Sequence, residues 1–141
     1  MSKRAAGRGG YGAPVNWRLV ARGEAKGVVL VVDDEPSIRL LCRVNLELGG
    51  YEIREASSLR EAREQLGGGE IDVVLLDMHI GNERSDALLQ ELTSQGVPVA
   101  VVSGSTDLDA LAGSGADAVL GKPFTIDQLE ETVERLASRE R

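Results

Sequence analysis

Four short runs of the chain are apolar at nearly every position and rich in valine and leucine. Such runs are typical of strands that are covered on both faces, as in a parallel sheet that lies between helices. A further segment alternates apolar and polar positions, which indicates an edge strand with one face partly uncovered. The pattern therefore predicts five strands, at residues 28–33, 51–56 (the alternating segment), 71–77, 97–103 and 117–121.

Stretches with helical spacing of apolar residues separate the predicted strands. Pro36 suits the first turn of a helix, and two pairs, Ser58 with Glu61 and Thr125 with Gln128, have the spacing of N-terminal capping boxes. Five strand–helix repeats joined by right-handed crossovers give a doubly wound α/β fold with a parallel sheet. The predicted helices cover residues 36–48, 58–66, 84–95, 106–112 (a short fourth helix) and 125–138.

Polar residues directly follow the apolar runs, and the carboxyl ends of parallel strands meet at one edge of a sheet. Asp33 and Asp34 end the first strand, Asp77 ends the third, Ser103 ends the fourth, and Lys122 follows the fifth. Three converging carboxylates repel one another unless a cation neutralises them, and carboxylate oxygens are ligands that Mg²⁺ prefers. An ammonium and a hydroxyl at the same edge can bind phosphoryl oxygens. This set of residues therefore predicts transfer of a phosphoryl group to a carboxylate, with Mg²⁺ and Lys122 absorbing the charge.

Charge is distributed unevenly along the 141 residues, whose formal net charge is −7. Residues 1–26 are rich in glycine and arginine and contain six basic residues and one acidic residue. We expect a flexible basic extension there, within which residues 15–20 are a candidate for weak docking; a role as a nucleic-acid or membrane tether stays open. Residues 27–141 are expected to form one domain, whose strong acidity repels nucleic acids and suits Mg²⁺ or a basic partner surface.

Composition argues against several other classes of protein and site. No window approaches ~18 consecutive apolar residues, so no membrane span is expected, and no secretory signal is recognisable. The single cysteine, Cys42, excludes a disulfide framework and is expected to be a small core residue. The single histidine, His79, excludes a histidine-rich metal site. An aromatic content of 3% argues against a stacking platform for single-stranded nucleic acid.

Four short motifs occur in order along the chain, separated by strand–helix units: VVDDEP, VVLLDM, VVSGS and GKPF. Together they resemble the receiver domain of bacterial response regulators, of the chemotaxis type that stands alone, over roughly residues 27–138. The resemblance implies the flavodoxin-like (βα)5 receiver fold with strand order 2-1-3-4-5. It also implies a cytoplasmic phospho-switch of a two-component or phosphorelay pathway, which is no enzyme beyond catalysing its own phosphorylation and dephosphorylation.

The resemblance assigns a Mg²⁺ site. It makes Asp33 and Asp34 the acidic pair that binds the metal, with Asp34 the more direct ligand and Asp33 acting partly through water. Asp77 is a further ligand, and His79 occupies the position at which the family supplies a backbone carbonyl. Glu35 is expected to be peripheral. From the residues alone, Asp33 and Asp34 as mere helix caps, and His79 as a solvated loop residue, stay open.

The resemblance also assigns the phosphoryl chemistry. It makes Asp77 the phospho-acceptor, Ser103 the hydroxyl that binds the phosphoryl group, and Lys122 the lysine that pairs first with Asp77 and then with a phosphoryl oxygen. Gly104 leaves open space for the phosphate, and the bond between Lys122 and Pro123 matches a cis peptide of the family. A plain turn role for Ser103 is the alternative from the residues alone.

Partners follow from the resemblance as well. The phosphoryl donor is expected to be phosphohistidine on a histidine kinase, on a histidine phosphotransfer protein, or on both. Signalling is expected to proceed by contact with a downstream protein target, without direct DNA binding because only one helix follows the last motif. The protein is expected to be a monomer or a dimer that forms on phosphorylation.

The sequence departs from the family pattern in its switch and loop residues. Val119 stands three residues before the lysine, where the family usually has an aromatic residue that changes rotamer on activation. The stretch between the fourth and fifth strands is short, which predicts a reduced fourth helix. After the phospho-acceptor, Gly81 replaces the usual proline and Ser85 the usual glycine, so we expect a turn at Gly81 and a more flexible loop.

Two other functions are therefore considered. The departure at Val119 is compatible with a pseudo-receiver, an interaction module of the same fold that works without phosphorylation. A phosphohydrolase with Asp77 as nucleophile would need a second acid two residues later, where His79 stands.

Overall fold

The computed structural model describes residues 25–104, 111 and 113–138. The elements in chain order are β1 (Val28–Val32), α1 (Pro36–Leu48), β2 (Glu52–Ala56), α2 (Leu59–Gly67), β3 (Val73–Asp77), β4 (His79–Ile80), β5 (Glu83–Arg84), α3 (Asp86–Ser94), β6 (Val99–Ser103), β7 (Ala118–Gly121) and α4 (Ile126–Ala137). Most of the extension predicted at residues 1–26, and the helix predicted at residues 106–112 apart from Leu111, lie outside the described residues.

Five of the strands form one parallel sheet in the order β2-β1-β3-β6-β7. Counting only these five strands along the chain, the order is 2-1-3-4-5, which confirms the predicted doubly wound α/β fold. The alternating segment forms β2 at one edge of the sheet, as its pattern predicted. In this topology the carboxyl ends of all five strands lie along one edge, which positions the polar residues that follow them.

Both faces of the sheet are buried, and alternate residues of each central strand belong to opposite sides of the core. On one side Val29 and Val31 pack with residues of α1 and α4, whereas on the other Leu30 and Val32 pack with residues of α2 and α3. This two-sided burial is why the central strands are apolar at consecutive positions. Cys42 is buried in the first of these clusters, and burial raises the pKa of its thiol to about 12, in keeping with a core role.

Side chains cap two of the helices where the sequence predicted. At α4, Thr125 Oγ1 accepts a hydrogen bond from Gln128 N, and Gln128 Oε1 accepts one from Thr125 N, which completes a capping box. At α2, Ser58 Oγ accepts from Glu61 N as predicted. Glu61, however, accepts a hydrogen bond from the backbone N–H of Ser57 at 2.7 Å, one residue before the helix cap.

An antiparallel hairpin follows β3 and was not predicted. His79 pairs with Arg84, and Ile80 pairs with Glu83, around a turn in which Gly81 has a positive φ of 61°. The turn at Gly81 was predicted, but the pairing of the flanking residues was not. Because the hairpin extends to Arg84, α3 begins at Asp86 and not at residue 84, where the sequence placed its start. No helix in the described part of the chain is long and apolar enough to span a membrane.

Candidate functional site

The edge of the sheet formed by its carboxyl ends gathers the acidic residues that the sequence singled out. One carboxylate oxygen from each of Asp33, Asp34 and Asp77 lies within 4.8 Å of the other two. Asp33 and Asp77 are buried, whereas Asp34 is exposed. The N-cap residue of α1 is Glu35, so neither Asp33 nor Asp34 occupies the capping position of that helix.

Lys122 holds these carboxylates together. Its Nζ lies 3.1 Å from Asp77 Oδ2, 3.2 Å from Asp33 Oδ2 and 3.1 Å from Glu35 Oε1. Burial by itself lowers the pKa of Lys122, but hydrogen bonds to Asp77 and Glu35 and the charges of the nearby aspartates raise it above its usual value. Lys122 therefore stays protonated and supplies the positive charge that faces Asp77.

The negative charge of Asp33 is unfavourable because the carboxylate is buried. Its exposed fraction is 2%, and burial raises its pKa above the usual range. A hydrogen bond from Glu35 N to Asp33 Oδ1, at 2.9 Å, and the contact with Lys122 lower the pKa, while the charge of Asp77 adds to the increase. Burial is the largest of these effects, so the pKa of Asp33 stays raised despite the contact with Lys122.

The exposed Asp34 is oriented by the hairpin. Its Oδ2 accepts a hydrogen bond of 2.8 Å from the backbone N–H of Gly81 in the β4–β5 turn. Asp77 is approached from the same hairpin, because His79 N donates to Asp77 Oδ1 at 3.2 Å. The His79 ring is exposed, with Nε2 at 3.0 Å from Nη1 of Arg84. A ligand role for the His79 backbone carbonyl stays a prediction.

The remaining predicted phosphoryl-binding residues lie on the neighbouring strands. Ser103 is buried at the end of β6 opposite Gly121, and Lys122 N donates to Ser103 O at 2.8 Å. Gly104 is exposed, and a Cβ atom at this position would meet no atom of the described residues within 4 Å, in keeping with the open space expected there. The bond between Lys122 and Pro123 is cis.

Val119 lies on β7 opposite Val101, at the position where the family usually has an aromatic residue. Its side chain is partly buried against the core cluster that contains residues of α2 and α3. An open cleft on the surface of β7 and α4 is lined by Val119, Lys122 and Arg135, among other residues. The side chain at this position therefore forms part of the wall of a cleft beside the site.

Three residues support the site in roles that the sequence analysis did not assign to them. Glu35, expected to be peripheral, contacts Lys122 although its side chain is more than half exposed. Arg39 Nη1 donates to the backbone carbonyl of Asp33 at 2.7 Å, and the buried Ser85 Oγ donates to the carbonyl of Asp77 at 2.7 Å. No sequence motif predicts these contacts, because each forms only when the chain folds. The one hint in the sequence was Ser85, a residue with a hydroxyl group at a loop position where the family usually has glycine.

The donor set fits a hard divalent cation. Three carboxylate oxygens converge at one edge of the sheet, and two of them belong to buried residues that share the ammonium of Lys122. Oxygen ligands of this kind suit Mg²⁺, which is usually held by one or two carboxylates together with waters and phosphate oxygens. Asp33, Asp34 and Asp77 are the residues that would hold it.

Comparison with known proteins agrees with this arrangement. The family model of the response regulator receiver domain matches residues 29–134. The receiver domain of NtrX from Brucella abortus has a TM-score of 0.73 with 30% sequence identity, over 79% of this chain and 99% of that one. TrrA from Thermotoga maritima, solved in complex with Mg²⁺ and BeF, has a TM-score of 0.71 and 31% identity, over 78% of this chain and 98% of that one.

Curated relatives include both kinases and regulators. The sensor histidine kinase RcsC of Salmonella typhi is 34% identical over 121 residues, which are 81% of this chain but only 13% of the kinase. The regulatory protein KdpE of Escherichia coli is 33% identical over 106 residues, or 72% of this chain and 47% of KdpE. The chain therefore spans a small part of the first of these relatives and about half of the second.

Fold and site together define a doubly wound α/β protein with an acidic cluster and a lysine at the carboxyl edge of its parallel sheet. The chain belongs to the family of response regulator receiver domains of two-component systems.

Proposed function

We propose that this chain is a receiver that works as a single domain and accepts a phosphoryl group on Asp77, with Mg²⁺ as its cofactor. The observation that carries the proposal is the contact of 3.1 Å between Lys122 Nζ and Asp77 Oδ2 within the acidic cluster. In this contact the nucleophilic carboxylate of Asp77 is paired with the ammonium of Lys122, which can bind a phosphoryl oxygen once the negative charge has moved there. The donor is phosphohistidine on a histidine kinase or on a phosphotransfer protein, which agrees with relatives that include sensor histidine kinases.

The transfer replaces one bond to phosphorus by another. A carboxylate oxygen of Asp77 attacks the phosphorus atom in line, the P–N bond to the donor imidazole breaks, and an acyl phosphate forms. Mg²⁺ held by Asp33, Asp34 and Asp77 would supply positive charge against the phosphoryl oxygens. Hydrolysis of the acyl phosphate by water returns the Asp77 carboxylate and inorganic phosphate, so the chain acts on itself and on no separate substrate.

The other site residues stabilise the transferred group. Lys122 exchanges its contact with Asp77 Oδ2 for one with a phosphoryl oxygen. This exchange needs little free energy, because the ammonium stays among the same acidic residues. Ser103 donates its hydroxyl to another phosphoryl oxygen, and the open space beside Gly104 admits the group. The added negative charge then changes the surface around β7 and α4, and a downstream protein binds the changed surface. This proposal places the protein in the cytoplasm, where such kinases and targets operate.

Intact-mass spectrometry tests the chemistry. The full chain is incubated with Mg²⁺ and acetyl phosphate, beside Asp77→Ala and the control Asp127→Asn, which removes an exposed carboxylate on α4 outside the site. We expect one phosphoryl group on the wild type and on Asp127→Asn, none on Asp77→Ala, and none on any variant in EDTA. No adduct on the wild type, while another receiver is labelled under the same conditions, would contradict the proposal.

Val119 favours one second candidate, an interaction module that binds its partner without phosphorylation. The same experiment is the first test between the two functions, because a chain that forms no adduct can act only without phosphorylation; an adduct by itself leaves the question to partner binding. A second assay then measures partner binding before and after phosphorylation. Equal affinity of both forms would support the interaction module.

A further inference from the structure

An unpartnered apolar stripe runs along α1. Leu40, Val44 and Leu48 are the large hydrophobic residues that the described part of the chain leaves exposed, at 60%, 47% and 45% respectively. Their spacing of four residues places all three on one face of the helix, over a length of about 12 Å. A contiguous exposed apolar surface of this kind indicates a binding face, since scattered single exposed residues are the norm on protein surfaces.

The stripe ends at a groove between α1 and α4. The groove has a volume of about 190 Å³, and its walls include the apolar side chains of Leu48 and Tyr51. Glu130 and Glu134, one turn apart and exposed on α4, add negative charge to the same groove. An occupant that matches the stripe and the groove therefore combines apolar side chains with basic ones.

The described chain enters the domain at this groove. Lys26 lines the groove, its backbone N–H donates to Gly50 O at 2.9 Å, and its Nζ lies 5.7 Å from the centroid of the Tyr51 ring. The 24 residues that precede Ala25 are therefore joined to the domain at this groove. Those residues include five basic side chains and one acidic side chain, and an apolar stretch with the sequence VNWRLV at positions 15–20.

We propose that Val15–Val20 packs on the stripe formed by Leu40, Val44 and Leu48, with Arg18 and Arg22 facing Glu130 and Glu134 of the groove. Reach permits the contact, because the four linking residues span up to about 14 Å when extended and the six docking residues cover more than the length of the stripe. Burial of Trp17 and Leu19 on the stripe supplies the apolar contribution, and the opposite charges fix the orientation.

Trp17 is the only tryptophan of the chain, so its fluorescence reports on the contact directly. Fluorescence emission and its quenching by acrylamide are measured on the wild-type full chain and on two α1 variants, the double variant Leu40→Gln/Val44→Gln and the single variant Leu48→Gln. The control is Ala87→Gln, which changes an exposed position of α3. We expect a blue-shifted emission and a quenching constant about threefold below that of the urea-unfolded chain. The α1 variants should return both values toward those of the unfolded chain, and the control should not.

Three results would overturn the inference. Emission of the native wild type equal to that of the unfolded chain would show that Trp17 is not packed. If Trp17 stayed protected from acrylamide in both α1 variants, and the circular dichroism of the variants were unchanged, Trp17 would pack somewhere other than the stripe. If the protection of Trp17 from acrylamide increased with protein concentration, and light scattering showed a dimer, a second copy of the chain would cover the stripe.

Discussion

At the scale of single residues, the positive charge of one lysine opposes the repulsion among the acidic residues of the site. Lys122 lies within 3.2 Å of carboxylate oxygens from Asp33, Glu35 and Asp77, and its raised pKa keeps it charged. The pKa of Asp33 is nevertheless raised, mainly by burial and also by the charge of Asp77. Without a bound cation, the acidic residues are therefore expected to cost stability, as functional sites often do.

Asp33→Asn tests this cost. Asparagine keeps an oxygen that can accept the hydrogen bond from Glu35 N, but it removes a buried charge that repels Asp77. Lys122 retains its other two carboxylate partners. In EDTA we expect the free energy of unfolding to rise by about 1 kcal/mol, measured by urea denaturation. Asp127→Asn, which neutralises an exposed carboxylate, should give no such increase, and a less stable Asp33→Asn would contradict the interpretation.

Ser85→Ala tests the hydroxyl that the sequence pattern did not place. Ser85 is fully buried, and its Oγ donates to the carbonyl of Asp77 at 2.7 Å. Loss of this donor leaves a buried carbonyl with one hydrogen bond fewer, so we expect the free energy of unfolding to fall by about 1–2 kcal/mol. The matched control is Ser94→Ala, whose exposed hydroxyl donates to Glu91 O and whose loss should change stability by less than about 0.5 kcal/mol. Equal effects of the two variants would argue against a special role for Ser85.

At the scale of elements, a chain of ion pairs fixes α1 to β2 and to the loop that carries the acidic pair. Arg39 donates to the carbonyl of Asp33 and to Glu55 Oε1, at 2.7 and 3.1 Å, and Arg43 donates to the other Glu55 oxygen at 2.5 Å. Although partial burial opposes it, hydrogen bonds from Arg43 and Arg39 hold the pKa of Glu55 below its usual value. The network therefore contributes stability while Glu55 is ionised and loses it as the pH falls through the lowered pKa.

Arg39→Gln removes the connection between this network and Asp33. We expect a loss of about 1–2 kcal/mol in the free energy of unfolding, because Arg39 is mostly buried and makes two hydrogen bonds. We also expect a severalfold weaker affinity for Mn²⁺, read by electron paramagnetic resonance, because the loop that holds Asp33 and Asp34 is less well fixed.

The control for this variant is Arg60→Gln. Arg60 forms an ion pair with Glu64 on the exposed side of α2, with side chains 77% and 63% exposed. Removal of so exposed a pair should cost at most about 0.5 kcal/mol and leave the affinity for Mn²⁺ unchanged. An affinity that is the same in Arg39→Gln and in Arg60→Gln would refute the positioning role of Arg39.

At the scale of the whole molecule, the site and the core depend on the same sheet. The strands that end in Asp77 and Ser103, and the strand that leads to Asp33, are the central strands of the fold, buried on both faces. A ligand that binds only when these strands are aligned therefore stabilises the complete domain.

Mg²⁺ should accordingly raise the thermal unfolding midpoint of the chain. At a concentration about 100 times the dissociation constant, the gain is about 2.7 kcal/mol. Asp34→Asn should lose most of this gain, although its amide oxygen can still accept the hydrogen bond from Gly81. The control Glu83→Gln, on the exposed hairpin, should keep the gain. A midpoint that does not respond to Mg²⁺ would argue against the metal site.

The sequence by itself determined the five strands of the sheet, the helices that follow the first three and the last of them, and the edge at which the chemistry lies, but not the β4–β5 hairpin. Consecutive apolar residues marked strands buried on both faces, and the capping residues Ser58 and Thr125 marked helix starts, because these signals depend on neighbours a few residues apart. Acidic residues at strand ends then had to meet at one edge, since parallel strands share their direction.

Only the tertiary structure decided which residues support the site. The contacts of Glu35 with Lys122, of Arg39 with the Asp33 carbonyl and with Glu55, and of Asp34 with the Gly81 turn join different elements of the fold. The spacing of residues along the chain carries no signal for such pairs. They form because packing of the helices and the hairpin on the sheet brings residues that are distant in sequence within hydrogen-bond distance.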